Sequence, residues 1–160
     1  MAHGIFRSDS CSYTHDGALI RTAQAYGDID NGAPILCGGL ATTGTFAGER
    51  EVFTTSAVAS ASAADVWVVT SPEHAYTADM KPLENFYNAS GDIIRISKLV
   101  KSDIFSITGE VCSGTPSASD KYIAAGDGKW TASSSAAKAF AQFLNTEVVG
   151  GKTMYVFEVL

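Results

Sequence analysis

Apolar and β-branched residues come in short runs cut by Gly, Asn, Asp and Pro, a pattern that predicts many short strands joined by turns. Gly17 to Tyr26 reads as a strand of small residues. Asp30-Asn31-Gly32 is a turn signal, because Asn and Gly tolerate positive φ, and it leads into "APILCGGL", with Pro34 near the strand's start. A Gly48-Glu49 turn precedes a strand over Glu51–Thr55. "DVWVVTSPE" is the most apolar run and reads as a buried strand ending at Ser71-Pro72. "DIIRISKLV" and "DIFSITGEV" read as a hairpin reversing at Lys101-Ser102. Ile94 and Ile96 would share one face, Arg95 and Ser97 the other, with Phe105 and Ile107 together on the partner strand. Arg95 is expected to meet an acid or a carbonyl at the rim. Two further hairpins are signalled by Gly126-Asp127-Gly128 and by Gly150-Gly151.

Two stretches break the alternation. In "HAYTADMKPLENFYN", Pro82 marks a turn, and Leu83, Phe86 and Tyr87 suit a short helical turn or a packed loop. In "SSSAAKAFAQFLNTE", Ala136, Ala137, Phe140, Phe143 and Leu144 recur at helical spacing behind Ser135 as an N-cap. The same residues can enter the terminal hairpin, and the β context favours a strand from about Ala139. "SAVASASAAD" is a small-residue spacer. The pattern as a whole predicts a mainly β fold, a single-domain antiparallel β-barrel or sandwich with at most one or two short helices.

Length and composition narrow the function classes. The 160 residues suit one domain with a core of its own. The formal net charge of −6, from 17 acids and 11 bases with no basic block, argues against nucleic acid as a partner. Cys11, Cys37 and Cys112 are odd in number and lack metal-type spacing, so free thiols in a reducing compartment are expected, with one bridge at most. The N-terminus has no apolar secretory core, and no apolar run approaches the ~20 residues of a membrane helix. Neither export nor a membrane is expected.

The candidate chemistry is sparse. His3, Cys11, His15 and Asp16 crowd the N-terminus without zinc spacing. Cys37 before two glycines could be a nucleophile, but a strand cysteine is more often a small buried hydrophobe. Asp28 and Asp30 could hold calcium, yet they lack the loop pattern and suit turn formation better. "AGDGKW" is a hairpin turn rather than a phosphate cradle. His74 lies in a loop. Asn88-Ala89-Ser90 satisfies a glycosylation triplet without a secretory route to use it. Trp130, beside a hairpin turn, is the aromatic whose exposure would favour a sugar platform. No catalytic, cofactor or metal-binding residues are assigned, and an enzyme is not expected.

The order of these segments resembles the small decoration, or cement, proteins of tailed-bacteriophage capsids, those with a β-barrel or β-tulip type domain. The series is "GDIDNGAPILCGGL", "GEREVF", "DVWVVTSPEHAY", "LENFYNASGDIIRISKLVKSDIFSIT", the "DGKW" hairpin and an apolar C-terminal strand. It spans roughly Ala25 to Leu160. Each motif is only a turn plus a strand, so their order carries the resemblance. It implies a non-enzymatic structural virion protein on the outer capsid surface, made in the bacterial host cytoplasm. Its partner would be the major capsid protein, and it would form a homo-oligomer, a trimer favoured. Residues 1–20 would be an N-terminal arm, flexible until bound, ahead of a β-rich domain over 21–160. Within the arm Ile5, Phe6, Arg7 and Tyr13 are the expected capsid contacts, made by adding a strand to a neighbour. A disordered tail or the first strand of the domain are the alternatives for this segment. A carbohydrate-binding or adhesin-like β module is the alternative for the whole.

Overall fold

The computed structural model describes residues 2–48, 50–58, 65–73, 83–117, 121–126, 128–137 and 139–160. It is mainly β, a single small domain with no helix of 7 residues or more among the described residues. In chain order the strands are β1 (Phe6–Ser10), β2 (Ile20–Gln24), β3 (Pro34–Leu40), β4 (Val52–Ala57), β5 (Val66–Val69) and β6 (Ile93–Ser97). They continue as β7 (Ile104–Ile107), β8 (Cys112–Ser113), β9 (Tyr122–Gly126), β10 (Lys129–Ser133), β11 (Ala141–Val149) and β12 (Lys152–Val159).

These strands form two bodies. One is a 7-stranded sheet in the order β1-β7-β12-β11-β9-β10-β8, and the other is a closed barrel, β2-β4-β3-β5-β6. Pairing is antiparallel except between β2 and β4 and between β10 and β8. The barrel is an insertion in the sheet. The chain leaves after β1, builds the barrel, and returns as β7, which pairs beside β1 with Phe6 opposite Ile107.

The two bodies are welded by β5. Its sequence, VWVV, is apolar on both faces, as a doubly covered strand requires. Val66 and Val68 enter the core of the large sheet, while Trp67 and Val69 pack with the barrel core of Ala23, Ile35, Ile94 and Ile96. In the larger core Phe105 is central. Its ring stacks on Phe6 at 5.9 Å and on Phe157 at 5.7 Å, and it meets the edge of Phe140 at 6.4 Å.

One expected hairpin is absent. β6 and β7 are consecutive but lie in different bodies, so Lys101-Ser102 is a crossing point rather than a hairpin turn. The reason is closure: β6 already pairs with β2 on one side and β5 on the other, which leaves no free edge for β7. Asp103 fixes the crossing, its carboxylate accepting from the Val100 and Ser12 amides at 2.9 Å each. Ser102 takes φ 71°, the left-handed conformation. The face assignments within each strand hold. Ile94, Ile96, Phe105 and Ile107 are buried, and Arg95 Nε donates to the Thr70 carbonyl at 2.8 Å.

The other two hairpins form as expected. Gly126 pairs with Lys129 across one turn, and Val149 with Lys152 across the other. Gly150 and Gly151 have φ 58° and 81°, the two positive values of a primed turn. The stretch with helical spacing is strand from Ala141. A bulge between Phe143 and Asn145 shifts the alternation there, which is how the strand imitates a helical period. Leu83–Asn85 is a short 3-10 turn. Pro82, His74, Glu49 and Asp127 lie outside the described residues.

Candidate interaction surface

The four residues expected to contact a partner are divided between surface and core. Residues 6–10 form the first strand of the domain, paired along β7, and not a separate arm. The Ile5 amide donates to Thr108 Oγ1 at 3.1 Å, and its carbonyl accepts from the Thr108 amide at 3.2 Å. Phe6 is half-buried against Phe105. Arg7 is exposed and pairs with Asp9 at 2.7 Å and with Glu147 of β11 at 2.9 Å. Tyr13 is 5% exposed, and burial raises its hydroxyl pKa, so it has no surface to offer a partner.

Ile5, Phe6 and Arg7 line one depression of about 400 Å³ with Leu83, Val149 and Met154. The β11–β12 hairpin supplies Val149 and Met154, and the 3-10 turn supplies Leu83. Glu84 and Lys152 form an ion pair at its rim. Leu83 and Val149 are exposed, and Val148 next to them is 71% exposed. Apolar side chains left in water at the mouth of a concave surface are the mark of a contact site. Ile5 and Phe6 were legible as candidates because they sit near the chain start. Leu83, Val149 and Met154 were not, since only the tertiary fold brings them there.

A second feature adjoins the depression. β1 ends the sheet order, so among the described residues no strand pairs with its outer side. Hydrogen bonding links Ile5 to Thr108, and the register sets Arg7 opposite Ser106, so Phe6 and Ser8 turn their peptide groups outward. The strand has a bulge between Ser8 and Ser10, and Asp9 bonds back to Ser106 Oγ.

The remaining candidates have structural roles. Trp130 is fully buried, donates Nε1–H to the Gly32 carbonyl at 2.7 Å and packs 4.8 Å from Phe140, so it cannot form a sugar platform. Asn88 is buried, and its Nδ2 donates to the Ile29 carbonyl at 3.0 Å, which withholds it from glycosylation in the folded chain. Asp28 accepts from the Ser90 amide at 3.0 Å, and Asp30 accepts from the Gly4 amide at 2.9 Å. His3 bonds to Asp30 at 2.7 Å and stacks on Tyr87 at 4.8 Å. Asp16 caps the Ala18 amide. All three cysteines are free thiols. Among the described residues no group of 3 His, Cys, Asp or Glu side chains converges as metal ligands.

The barrel end carries a constellation with no signal in the sequence. The Arg21 guanidinium lies 4.5 Å from the Phe53 ring centroid and 4.7 Å from that of Trp67. Its Nη1 also reaches Cys37 Sγ at 3.5 Å. Phe53, Trp67 and Cys37 all pack against the barrel core, so the cation–π contacts hold the guanidinium onto that packing.

No family model, curated protein or solved structure matches the chain.

Proposed function

We propose that this chain is a structural virion protein that binds the outer surface of a phage major capsid protein lattice and stabilises the head. The observation that carries the reading is the apolar depression at the start of β1, with Ile5, Phe6, Leu83 and Val149 presented on a β scaffold. The ordered series of turn-and-strand motifs supports this class of partner, and the depression is the surface the reading assigns to docking. A bracing protein must transmit load between subunits without deforming. A closed barrel whose strand β5 packs one face into the core of a large sheet supplies such stiffness.

Deleting the first residues is a poor test, because it would remove β1 and uncover Phe105. Leu83 and Val149 are better targets, being exposed and outside the main core. The chain is expected to co-sediment with expanded capsids lacking it, saturating at a fixed ratio to capsid subunits. Leu83→Asp with Val149→Asp is expected to weaken that binding by about tenfold or more while leaving the far-UV spectrum unchanged. Non-saturable binding, or full binding by the double variant, would end this reading of the site. Retention on glycans instead of capsids would favour the adhesin class.

A further inference from the structure

A second depression, of about 660 Å³, opens on the outer wall of the barrel, where β2 and β6 pair and the segment Phe86-Tyr87-Asn88 flanks them. Its volume falls in the ~300–1,000 Å³ range of small-molecule sites. It shares no lining residue with the depression at the start of β1. Ile20, Pro72, Tyr87 and Ile93 give it apolar walls, and Ile93 is 45% exposed. Arg95 stands among them. Strand alternation turns it outward, away from the barrel core that takes Ile94 and Ile96.

Arg95 is held in place but not neutralised. Its amide donates to Ser71 Oγ at 3.2 Å, and its carbonyl accepts from the Thr70 amide at 2.9 Å. Its Nε donates to the Thr70 carbonyl at 2.8 Å. Those bonds fix the stem and one edge of the guanidinium. The two Nη groups have no hydrogen-bond or ion-pair partner among the described residues. The contrast is with Arg7, which holds two carboxylates, and Arg21, which lies against two rings.

A positioned guanidinium with both Nη groups presented matches the two oxygens of one carboxylate. We infer that this depression binds a small organic acid, a single carboxylate on an apolar body. The carboxylate sits on Arg95 and the body against Ile20, Tyr87 and Ile93. Asp92 limits the charge. It lines the same depression beyond ion-pair distance of Arg95, with Oδ2 accepting from the Ala89 amide at 3.0 Å. A second anionic group on the ligand would be repelled by that carboxylate. The net charge of −6 opposes multiply charged anions for the same reason. The inference stands apart from the capsid reading, because the two depressions are separate.

Titration of the full chain with phenylacetate near neutral pH, followed by NMR shifts, tests it. Saturable shifts are expected at the Arg95 Nε–H and at the Tyr87 and Ile93 amides. Phenylacetate is expected to bind about tenfold or more tighter than acetate, which lacks the body, and phenylacetamide, which lacks the charge. Phenylsuccinate, with a second carboxylate, is expected to bind more weakly than phenylacetate. Arg95→Gln is expected to weaken phenylacetate about tenfold. Thr22 is exposed and directly opposite Arg95 across the β2–β6 pair. Thr22→Glu therefore offers the guanidinium a carboxylate from within the chain, and is expected to block phenylacetate about as strongly while Thr22→Gln does not. This second variant leaves Arg95 in place, so the test survives if Arg95→Gln fails to fold. No saturable shift, or shifts centred away from Arg95, would overturn the proposal. So would phenylacetamide binding as tightly as phenylacetate, or undiminished binding by Thr22→Glu.

Discussion

At the residue scale, the least polar sites have the sharpest consequences. Cys11 and Cys112 are buried, and burial above all pushes both thiols up to about 12 from an ordinary 9.0. For Cys11 the nearby Asp103 carboxylate adds to the effect. The folded state therefore holds two protons that the unfolded chain releases near its ordinary pKa. Below pH 9 both states keep them and the contribution is constant. Between pH 9 and 12 the unfolded state ionises first, and stability is lost as pH rises. Urea melts from pH 8 upward should show the midpoint falling through that window, and Cys112→Ala should flatten the fall. A midpoint independent of Cys112 would refute this account. The small buried hydrophobe expected at Cys37 is found instead at Cys11 and Cys112, while Cys37 is only half-buried, with its sulfur facing the Arg21 guanidinium. Trp130 is the aromatic whose exposure would have favoured a sugar platform, and its indole instead crosses to Gly32 and fills the core. Sequence neighbours do not reveal which side of a sheet is covered by a distant loop.

At the element scale, legibility follows how local the determinant is. The hairpin turns were readable because the turn residues themselves set the backbone. Gly150 and Gly151 both need positive φ, and a Cβ added at either would meet nothing within 4 Å. Substitution there probes backbone conformation alone. Gly151→Val should destabilise the chain by about 1–2 kcal/mol, since a β-branched residue resists the left-handed region. Gly150→Asn should be close to neutral, because Asn tolerates that conformation. Chemical denaturation distinguishes the two, and equal effects would mean that the turn does not govern the hairpin. The crossing at Lys101-Ser102 was misread as a hairpin for the complementary reason. Its outcome depends on β2 and β5 having taken both edges of β6, and no residue near the turn records that. The depression is illegible on the same grounds. Ile5, Leu83, Val149 and Met154 belong to separate segments whose convergence depends on the whole topology.

At the scale of the whole molecule, the question is whether barrel and sheet are separable units. Their topology suggests two pieces, one inserted into the other. Their packing says otherwise. β5 gives Val66 and Val68 to the sheet's core and Val69 to the barrel's, so removing either body strips one face of a fully apolar strand. Leu99, just past β6, also sits in the larger core. Trp130 of the sheet ties to the Gly32 carbonyl, in the turn that leads into β3. The pairing of β1 with β7 then closes the insertion, because the chain cannot keep that pairing unless its barrel ends stay together. These links predict one cooperative transition despite a length at which intermediates become common. Calorimetry should give an unfolding enthalpy equal to the van't Hoff value. Val68→Ala should move the whole transition, by roughly 1–3 kcal/mol, without splitting it. Two resolved transitions, or a Val68→Ala effect confined to one of them, would mean that the barrel folds independently. Cooperativity also bears on the proposed function. A brace that unfolds as one unit stays fully rigid until it fails, whereas a hinged pair of bodies would yield under load at the joint.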